Sequence, residues 1–247
     1  MSRFPDHFSR DPSSYARYRP RYPFALVEWL ASVAPARTLA WDCGTGNGQA
    51  ATLLAREFDA VIATDPSSAQ LRKAEADGRI HYAAMTAESS ALTNGCAAVV
   101  TVAQALHWFR LEEFYAEVRR VTMPGGVVAA WMYGLIRITP DVDARVSHFY
   151  TDTVGSCWPP ERALVDAGYA NMRFPFAPIH PPSFSMEAEW SLEDFAGYLS
   201  TWSAVGRYTD VVGVDPVPAF IETLGETWKQ GEMKSVRWPL ELLVGRV

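Results

Sequence analysis

The sequence predicts an α/β fold, a parallel sheet covered by helices on both faces. Three observations carry this. Between about residues 37 and 135, short apolar runs alternate with amphipathic stretches. Runs such as Ala97–Ala103 are apolar almost throughout, as strands buried on both faces require. A glycine cluster closes the first run and helix signals separate the others, which is the βαβ rhythm of a parallel sheet with right-handed crossovers.

Each element has its own reason. Thr38–Asp42 (TLAWD) reads as the first strand, ended by the glycines of CGTGNG. Gly48–Phe58 reads as a helix with Ala51, Leu54, Ala55 and Phe58 on one face. Ala60–Thr64 is the second strand. Ser67–Ala76 follows as a helix with Ser67 as its N-cap. Arg79–Met85 and Ala97–Ala103 are the third and fourth strands. Leu111–Val121 is an amphipathic helix with acids early and arginines late, as the helix dipole prefers. Pro124–Gly126 is a turn before the fifth strand, Val127–Trp131.

Outside this core the signals change. Residues 1–36 carry RYRPRYP, where prolines forbid a long helix. Residues 156–184 are proline-rich and read as irregular connection. Leu192–Ser203 is a helix with Ser191 as N-cap and Asp194 at the third helical position. Pro216–Lys229 reads as another helix and Ser235–Val247 as a last strand. The layout is one domain, 1–247, with an arm (1–36), a ligand-binding core (37–135), a cap or substrate region (136–234) and a final sheet strand (235–247).

Composition excludes several classes. Of 247 residues, 49% are apolar and 20% charged, so the chain is globular and not disordered. A formal charge of −6 argues against nucleic acid as a partner, since that needs a basic face. Only three of 22 basic residues are lysine; arginine suits bidentate carboxylate contacts, and codon usage explains the bias equally well. No run of about 18 apolar residues predicts a membrane span. The start, MSRFPDHFSRDPSSYARYRP, has no apolar signal core, and three cysteines form no CxxC or Cys/His pattern. The expectation is a reduced, cytoplasmic protein without metal. No G-x-S-x-G elbow or HExxH motif appears, and the histidines are scattered, with His81 read as structural.

The strongest chemical signal is Trp41-Asp42-Cys43-Gly44-Thr45-Gly46-Asn47-Gly48, an acid at a strand's end followed by GxGxG and a helix. Such a turn lets backbone approach a ligand closely at the carboxyl ends of parallel strands. A dinucleotide fingerprint would place glycine at position 49, where Gln49 stands. Asp42 would also repel a pyrophosphate but suits an ammonium group. A nicotinamide-dependent oxidoreductase is thereby disfavoured.

On these residues the sequence resembles the class I S-adenosyl-L-methionine-dependent methyltransferases. Thr64-Asp65-Pro66-Ser67 falls where that family places an acid on the ribose hydroxyls. Met85-Thr86-Ala87-Glu88 falls where it contacts adenine. Gln104-Ala105-Leu106-His107-Trp108-Phe109 falls beside the methyl-donating sulfonium, and Met123-Pro124-Gly125-Gly126 is similar to its turn before the fifth strand. A narrower resemblance, to the type 11, trans-aconitate methyltransferase-like group, rests on Phe8, on Tyr15-Ala16-Arg17-Tyr18-Arg19-Pro20-Arg21-Tyr22-Pro23, on His107-Trp108-Phe109 and on Trp190, Leu199, Ser203 and Trp238. It implies no particular acceptor.

The resemblance implies a Rossmann-like methyltransferase fold, a mostly parallel, doubly wound, seven-stranded sheet with an antiparallel C-terminal strand plus cap segments. It implies S-adenosyl-L-methionine as cofactor, S-adenosyl-L-homocysteine as product, and no metal. The implied cofactor-binding residues are Tyr15, Arg19, Asp42, Cys43, Gly44, Thr45, Gly46, Gly48, Gln49, Asp65, Pro66, Thr86, Ala87, Glu88, Gln104, Ala105, His107 and Trp108.

Each has a plainer alternative. Asp65 holds the ribose or caps the next helix. Asp42 serves the amino group, directly or through water, or braces the loop. Glu88 lies near adenine or is a solvated loop acid, whereas Thr86 and Ala87 contact adenine through backbone and packing. His107 is a candidate catalytic base, or only shapes the pocket. Trp108 stacks near the donor or packs in the core. Tyr15, Tyr18 and Arg19 close an arm over the donor, with tyrosines beside the cation, or staple the arm. Trp131 faces the acceptor or the core, with core packing the simpler reading. The nine tryptophans are unevenly placed: Trp158, Trp190, Trp202, Trp228 and Trp238 follow the core, where they would seal the site from water.

The expected activity is in-line methyl transfer from the sulfonium to a small-molecule acceptor. A carboxylic acid is the acceptor class that needs no base. The alternative is a methyltransferase-like protein that binds the cofactor or a partner without catalysis. Monomer and homodimer are both open.

Overall fold

The computed structural model describes Tyr18 and residues 20–247. From Phe24 to Tyr133 the elements are α1 (Phe24–Val33), β1 (Leu39–Cys43), α2 (Gln49–Leu54), β2 (Ala60–Thr64), α3 (Ser68–Leu71), β3 (Ile80–Ala83), β4 (Ala97–Ala103), α4 (Leu111–Val121) and β5 (Thr122–Tyr133). Beyond them lie α5 (Pro140–His148), α6 (Arg162–Asp166), β6 (Ala177–Pro178), β7 (Phe184–Trp190), α7 (Leu192–Ser200), α8 (Ser203–Val212), α9 (Val217–Leu224) and β8 (Lys234–Arg246). No helix among the described residues is long and apolar enough to cross a membrane.

The sheet runs β3-β2-β1-β4-β5-β8-β6, with β7 also paired to β8. Strands β1 to β5 are mutually parallel, and β8 runs antiparallel to β5, as expected. Among the described residues the count is eight and not seven, with β7 pairing β8 off the main strand order. The chain steps from β1 outward to β3, then returns to β4 on the other side. The carboxyl ends of β1 and β4 therefore form a topological switch point, where ligands bind in open α/β sheets.

The described residues divide into two compact units. One comprises 22–134, 163–184 and 240–247 and holds the parallel strands. Its core follows the strand alternation: Trp41, Cys43, Val100, Val102, Val128, Ala130 and Met132 share an apolar cluster with Phe114, Tyr115, Val118 and Val121 of α4. The other includes Tyr18, 135–162 and 185–239. There Trp190, Tyr198 and Trp238 pack ring on ring, Phe195 stacks on Trp228, and Phe149 stacks on Phe220. Trp202, Trp228 and Trp238 are buried inside this unit, so much of the late aromatic excess is its hydrophobic core.

Several elements differ from expectation. The helix expected over Gly48–Phe58 is regular only to Leu54, with turns continuing to the Phe58 N–H, which bonds the Leu54 carbonyl. That expected over Ser67–Ala76 is the single turn of α3, capped by Ser67. The expected Pro124–Gly126 turn is an insertion within β5. Ala97 pairs with Thr122 but Val99 with Val127, so β5 carries extra residues there, with Gly125 at φ +73°. Helix α1 lies inside the expected arm; its face of Leu26, Val27, Leu30 and Ala31 is buried, and it stops at Ala34 because the residue before Pro35 disfavours helical dihedrals. Helix α5 was not foreseen, although Thr139 caps it and Pro140 opens it. Helix α7 carries the capping box of Ser191 and Asp194.

Candidate active site

The glycine loop after β1 is tied down from two sides. The last carbonyl of β2, on Thr64, accepts the N–H groups of Gly44 (2.8 Å) and Thr45 (2.9 Å). Gly44 sits at φ +72°, and a Cβ there would lie 2.8 Å from the Ala105 Cβ, so β1 and the end of β4 approach as only glycine allows. Gly48, at φ +85°, is closed off by the Tyr82 hydroxyl, 2.4 Å from where a Cβ would stand. Among the described residues, nothing lies within 4 Å of such a Cβ on Gly46, which leaves open space there over the middle of the loop.

Asp42 is fully buried at the end of β1. Its carboxylate accepts the hydroxyls of Thr45 (2.5 Å) and Thr101 (2.8 Å). Burial raises its pKa to about 6, against the lowering effect of those hydroxyl bonds, and the charge of Asp65 adds to the rise. Asp42 thus braces the loop through Thr45 while holding negative charge beneath it. The neighbouring Cys43 thiol is buried and its pKa is pushed up by the same loss of solvent, so it is an inert packing group.

Asp65 reaches both ways from the end of β2. One oxygen accepts the Gly46 N–H (2.9 Å) and the other the Ser67 N–H (2.8 Å). It therefore joins the glycine loop to the turn that Ser67 caps, with Pro66 exposed between them. Gln49 is half-buried at the first position of α2.

After β3, Thr86 bridges to Ser89, and Ala87 is buried. Glu88 is no solvated loop acid: its side chain is 6% exposed, and it accepts the Arg110 N–H at the start of α4 (3.0 Å). Glu117 holds the same loop from α4, accepting the N–H and hydroxyl of Ser90 and pairing with Arg120, which together draw its pKa down to about 2.

The end of β4 is strained. Gln104 has φ +54°, uncommon for a residue with a Cβ. Its side-chain carbonyl accepts the Tyr133 N–H (2.9 Å) and its amide reaches the Tyr133 carbonyl (3.3 Å). The side chain thus extends the β4–β5 ladder beyond the strand, and the main chain of Gln104-Ala105 turns against Gly44. His107 and Trp108 follow in a short 3₁₀ turn with rings 4.9 Å apart. The His107 Nδ1 lies 2.8 Å from the Tyr169 hydroxyl. Trp131 is fully buried against Tyr22, and its indole N–H has no hydrogen-bond partner among the described residues.

Direct contacts thus join the predicted residues Asp42, Gly44, Thr45, Gly46, Asp65 and Ala105. Tyr15 and Arg19 lie outside the described residues. Tyr18, of the same arm, packs its ring where a side chain on Gly197 would stand, 2.5 Å from the position of a Cβ. Sequence reasoning missed Thr101, Tyr82 and Tyr169. Thr101 was findable, as the one hydroxyl in AAVVTVA and in register with Asp42. Tyr169 has no local signal pointing to His107.

A doubly wound sheet with a glycine loop at its switch point defines the Rossmann-like class. Comparison with known proteins makes it specific. Residues 41–130 match the methyltransferase domain family. A Dictyostelium discoideum protein described as a methyltransferase is 34% identical over 253 residues, covering 99% of this chain and 96% of that one. The solved structure of an Anaeromyxobacter dehalogenans protein described as a type II methyltransferase is 44% identical, with a TM-score of 0.88 over 92% of this chain and 97% of its own. A Bacillus halodurans structure at 18% identity and TM-score 0.50, covering 90% and 97%, shares the fold alone. The chain belongs to the class I S-adenosylmethionine-dependent methyltransferases, and it is an enzyme of that kind.

Proposed function

We propose that this methyltransferase acts on a small-molecule acceptor of the carboxylic acid class, within the trans-aconitate-like, type 11 group. The observation that carries the donor half of this reading is the space over Gly46 that the described residues leave open, flanked by two carboxylates, Asp42 and Asp65. That donor set fits S-adenosylmethionine. Asp42 offers negative charge to an ammonium group through Thr45 or water, and the Asp65 carboxylate is of the charged acceptor type that suits ribose hydroxyls.

Further residues assigned to the cofactor are Cys43, Gly44, Gly48, Gln49 and Pro66 around the loop, with Thr86, Ala87 and Glu88 toward the adenine. The main chain of Gln104-Ala105, with His107 and Trp108, faces the methyl group, and Tyr15 and Arg19 complete the set. When bound, the cofactor supplies an electrophilic methyl group. The chain's own work is to align that group with the acceptor and to exclude water. An ionised carboxylate is already a nucleophile and asks for no proton removal, which supports an acid acceptor. Acceptor choice is assigned to residues 136–234. The reading includes a cytoplasmic enzyme that binds neither nucleic acid nor membrane, and leaves monomer and homodimer open.

Calorimetric titration with S-adenosylhomocysteine, followed by a methyl-transfer screen over small carboxylic acids, tests this. Micromolar binding and turnover of an acid are expected. No binding in that range would sink the donor assignment, and turnover confined to amines or carbon acids would sink the acid class.

A further inference from the structure

We propose that Glu117 and Arg120 of α4 are positioning residues for the donor's base. Together they set the shape of the loop between β3 and β4 before the donor binds, and that preset loop selects adenine. The proposal deepens the donor reading above and rests on it for the adenine's place beside Thr86, Ala87 and Glu88.

The loop, residues 84–96, has almost no regular structure of its own beyond the Thr86–Ser89 bridge. Its main-chain groups therefore need partners elsewhere. They find them on α4, where Arg110, Glu117 and Arg120 stand at spacings of seven and three, in one stripe of the helix. At the start of the stripe, Glu88 accepts the Arg110 N–H (3.0 Å). Two turns on, one Glu117 oxygen accepts both the N–H (2.7 Å) and the hydroxyl (2.5 Å) of Ser90. The Arg120 guanidinium grips both oxygens of Glu117, at 2.8 and 2.6 Å. It also donates to the carbonyls of Leu92 (2.7 Å) and Ser90 (3.2 Å) and to the Asn94 side chain (2.8 Å). The Arg120 carbonyl closes the far end by accepting the Gly95 N–H (2.9 Å). Between these bonds, Ala87 and Leu92 are buried in the same apolar cluster as Phe114 and Val118 of α4.

This pair does more than an ordinary helix-surface ion pair, which contributes little. The Glu117 side chain is 9% exposed, and its bonds to Arg120 and Ser90 draw its pKa down to about 2, so it is charged at any assay pH. Its partner's planar fork reaches three acceptors on the loop while holding the carboxylate, which the single ammonium of lysine cannot copy. Charge-assisted bonds of this kind are about twice as strong as neutral ones. Selectivity follows from a fixed main chain. Adenine presents an amino donor beside a ring-nitrogen acceptor; hypoxanthine presents a carbonyl acceptor beside a ring N–H. A main chain held in one conformation matches one pattern and leaves polar groups unpaired against the other. A main chain free to turn can suit either, and pays for its ordering on binding.

The test is calorimetric titration with S-adenosylhomocysteine and with S-inosylhomocysteine, which carries hypoxanthine, far below the Tm of each variant. The wild type should bind the adenine ligand about 30-fold more tightly, the effect of one buried polar group left unpaired. Arg120→Ala should shrink that ratio to about threefold, mainly by weakening the adenine ligand. Arg120→Lys should resemble Arg120→Ala, whereas Glu117→Gln, which keeps an acceptor for Ser90, should retain more of the ratio than Glu117→Ala. A ratio unchanged in Arg120→Ala, whatever its Tm, overturns the proposal, since the pair then serves only the fold. A wild type indifferent to the base overturns it as well. If Arg120→Ala fails to fold, amide exchange in the wild type decides. Protection of the Ser90 and Gly95 N–H groups without ligand, unchanged by S-adenosylhomocysteine, is expected; protection that appears only with the ligand overturns the preset loop. A wild type that binds neither ligand removes the donor reading and this proposal with it, a result distinct from a ratio that survives Arg120→Ala.

Discussion

The two halves of the site are built differently. At the ends of β1 and β2, most polar contacts stay within the two motif segments, with Thr45 on Asp42 at a spacing of three, Ser67 on Asp65 at two and Gly46 on Asp65 at 19, the Thr101 hydroxyl on Asp42 across 59 residues being the exception. At the ends of β4 and β5, Gln104 reaches Tyr133 across 29 residues and His107 reaches Tyr169 across 62. The first half is a local device that any chain with the motif can carry intact. The second depends on how distant segments of one particular chain return to the sheet. That division suits a family in which the cofactor is shared and the acceptor changes.

The comparison breaks first at its tightest joint. Gly44→Ala adds a Cβ 2.8 Å from the Ala105 Cβ and forces alanine to φ +72°. Strain and overpacking together should cost about 3 kcal/mol, with S-adenosylhomocysteine affinity falling beyond the calorimetric range. Urea unfolding measures the first. Ala105→Gly in the same chain should restore part of the stability by relieving the clash, leaving the dihedral strain. No recovery would show that the two loops are not coupled as described.

Asp42 gives an effect of similar size and opposite sense. Its native pKa of about 6 lies above the ordinary 3.8, so the folded state binds the proton more tightly than the unfolded chain. Its contribution is most favourable below pH 3.8 and is lost as pH rises through 6, where the buried charge costs about 3 kcal/mol. Asp42→Asn should therefore gain stability relative to the wild type between pH 4 and pH 8, followed by denaturant titration at each pH. Binding should move the other way, wild-type affinity for S-adenosylhomocysteine falling below pH 6 as the charge proposed to serve the ammonium is neutralised. A parallel rise of both would show that Asp42 serves only the fold.

Asp65→Asn should come next, weakening S-adenosylhomocysteine about 30-fold, roughly 2 kcal/mol for a charged acceptor made neutral. Loss of stability with unchanged affinity would return Asp65 to its plainer role of joining the glycine loop to the Ser67 turn.

What could be read in advance follows the same division. Strands β2 and β4 and helix α4 fall on their predicted residues because each is one uninterrupted pattern, either apolar or amphipathic. Asp42, Gly44, Gly46 and Asp65 were legible because motif spacing fixes their contacts. Helices α1 and α5 had signals of their own, an apolar face and a Thr-Pro start, that proline content nearby obscured. Tyr169 was not legible at all. Its partner is set by where α6 ends in space, and no spacing along the chain encodes that.

The smallest effect tests whether Gln104 belongs to the first half or the second. Its side chain makes two bonds to the Tyr133 backbone, and its own backbone stands at φ +54°. Gln104→Ala keeps the strain and removes both bonds; Gln104→Gly removes the bonds and the strain together. Glycine should therefore be the more stable variant by about 1 kcal/mol, a reversal of its usual rank against alanine. In both, S-adenosylhomocysteine affinity should fall less than in Asp65→Asn, because the amide serves the sheet and only the main chain is proposed to face the ligand. A loss larger than that of Asp65→Asn would place the Gln104 amide itself in the donor pocket. The end of β4 would then be as much a motif-borne device as the end of β1.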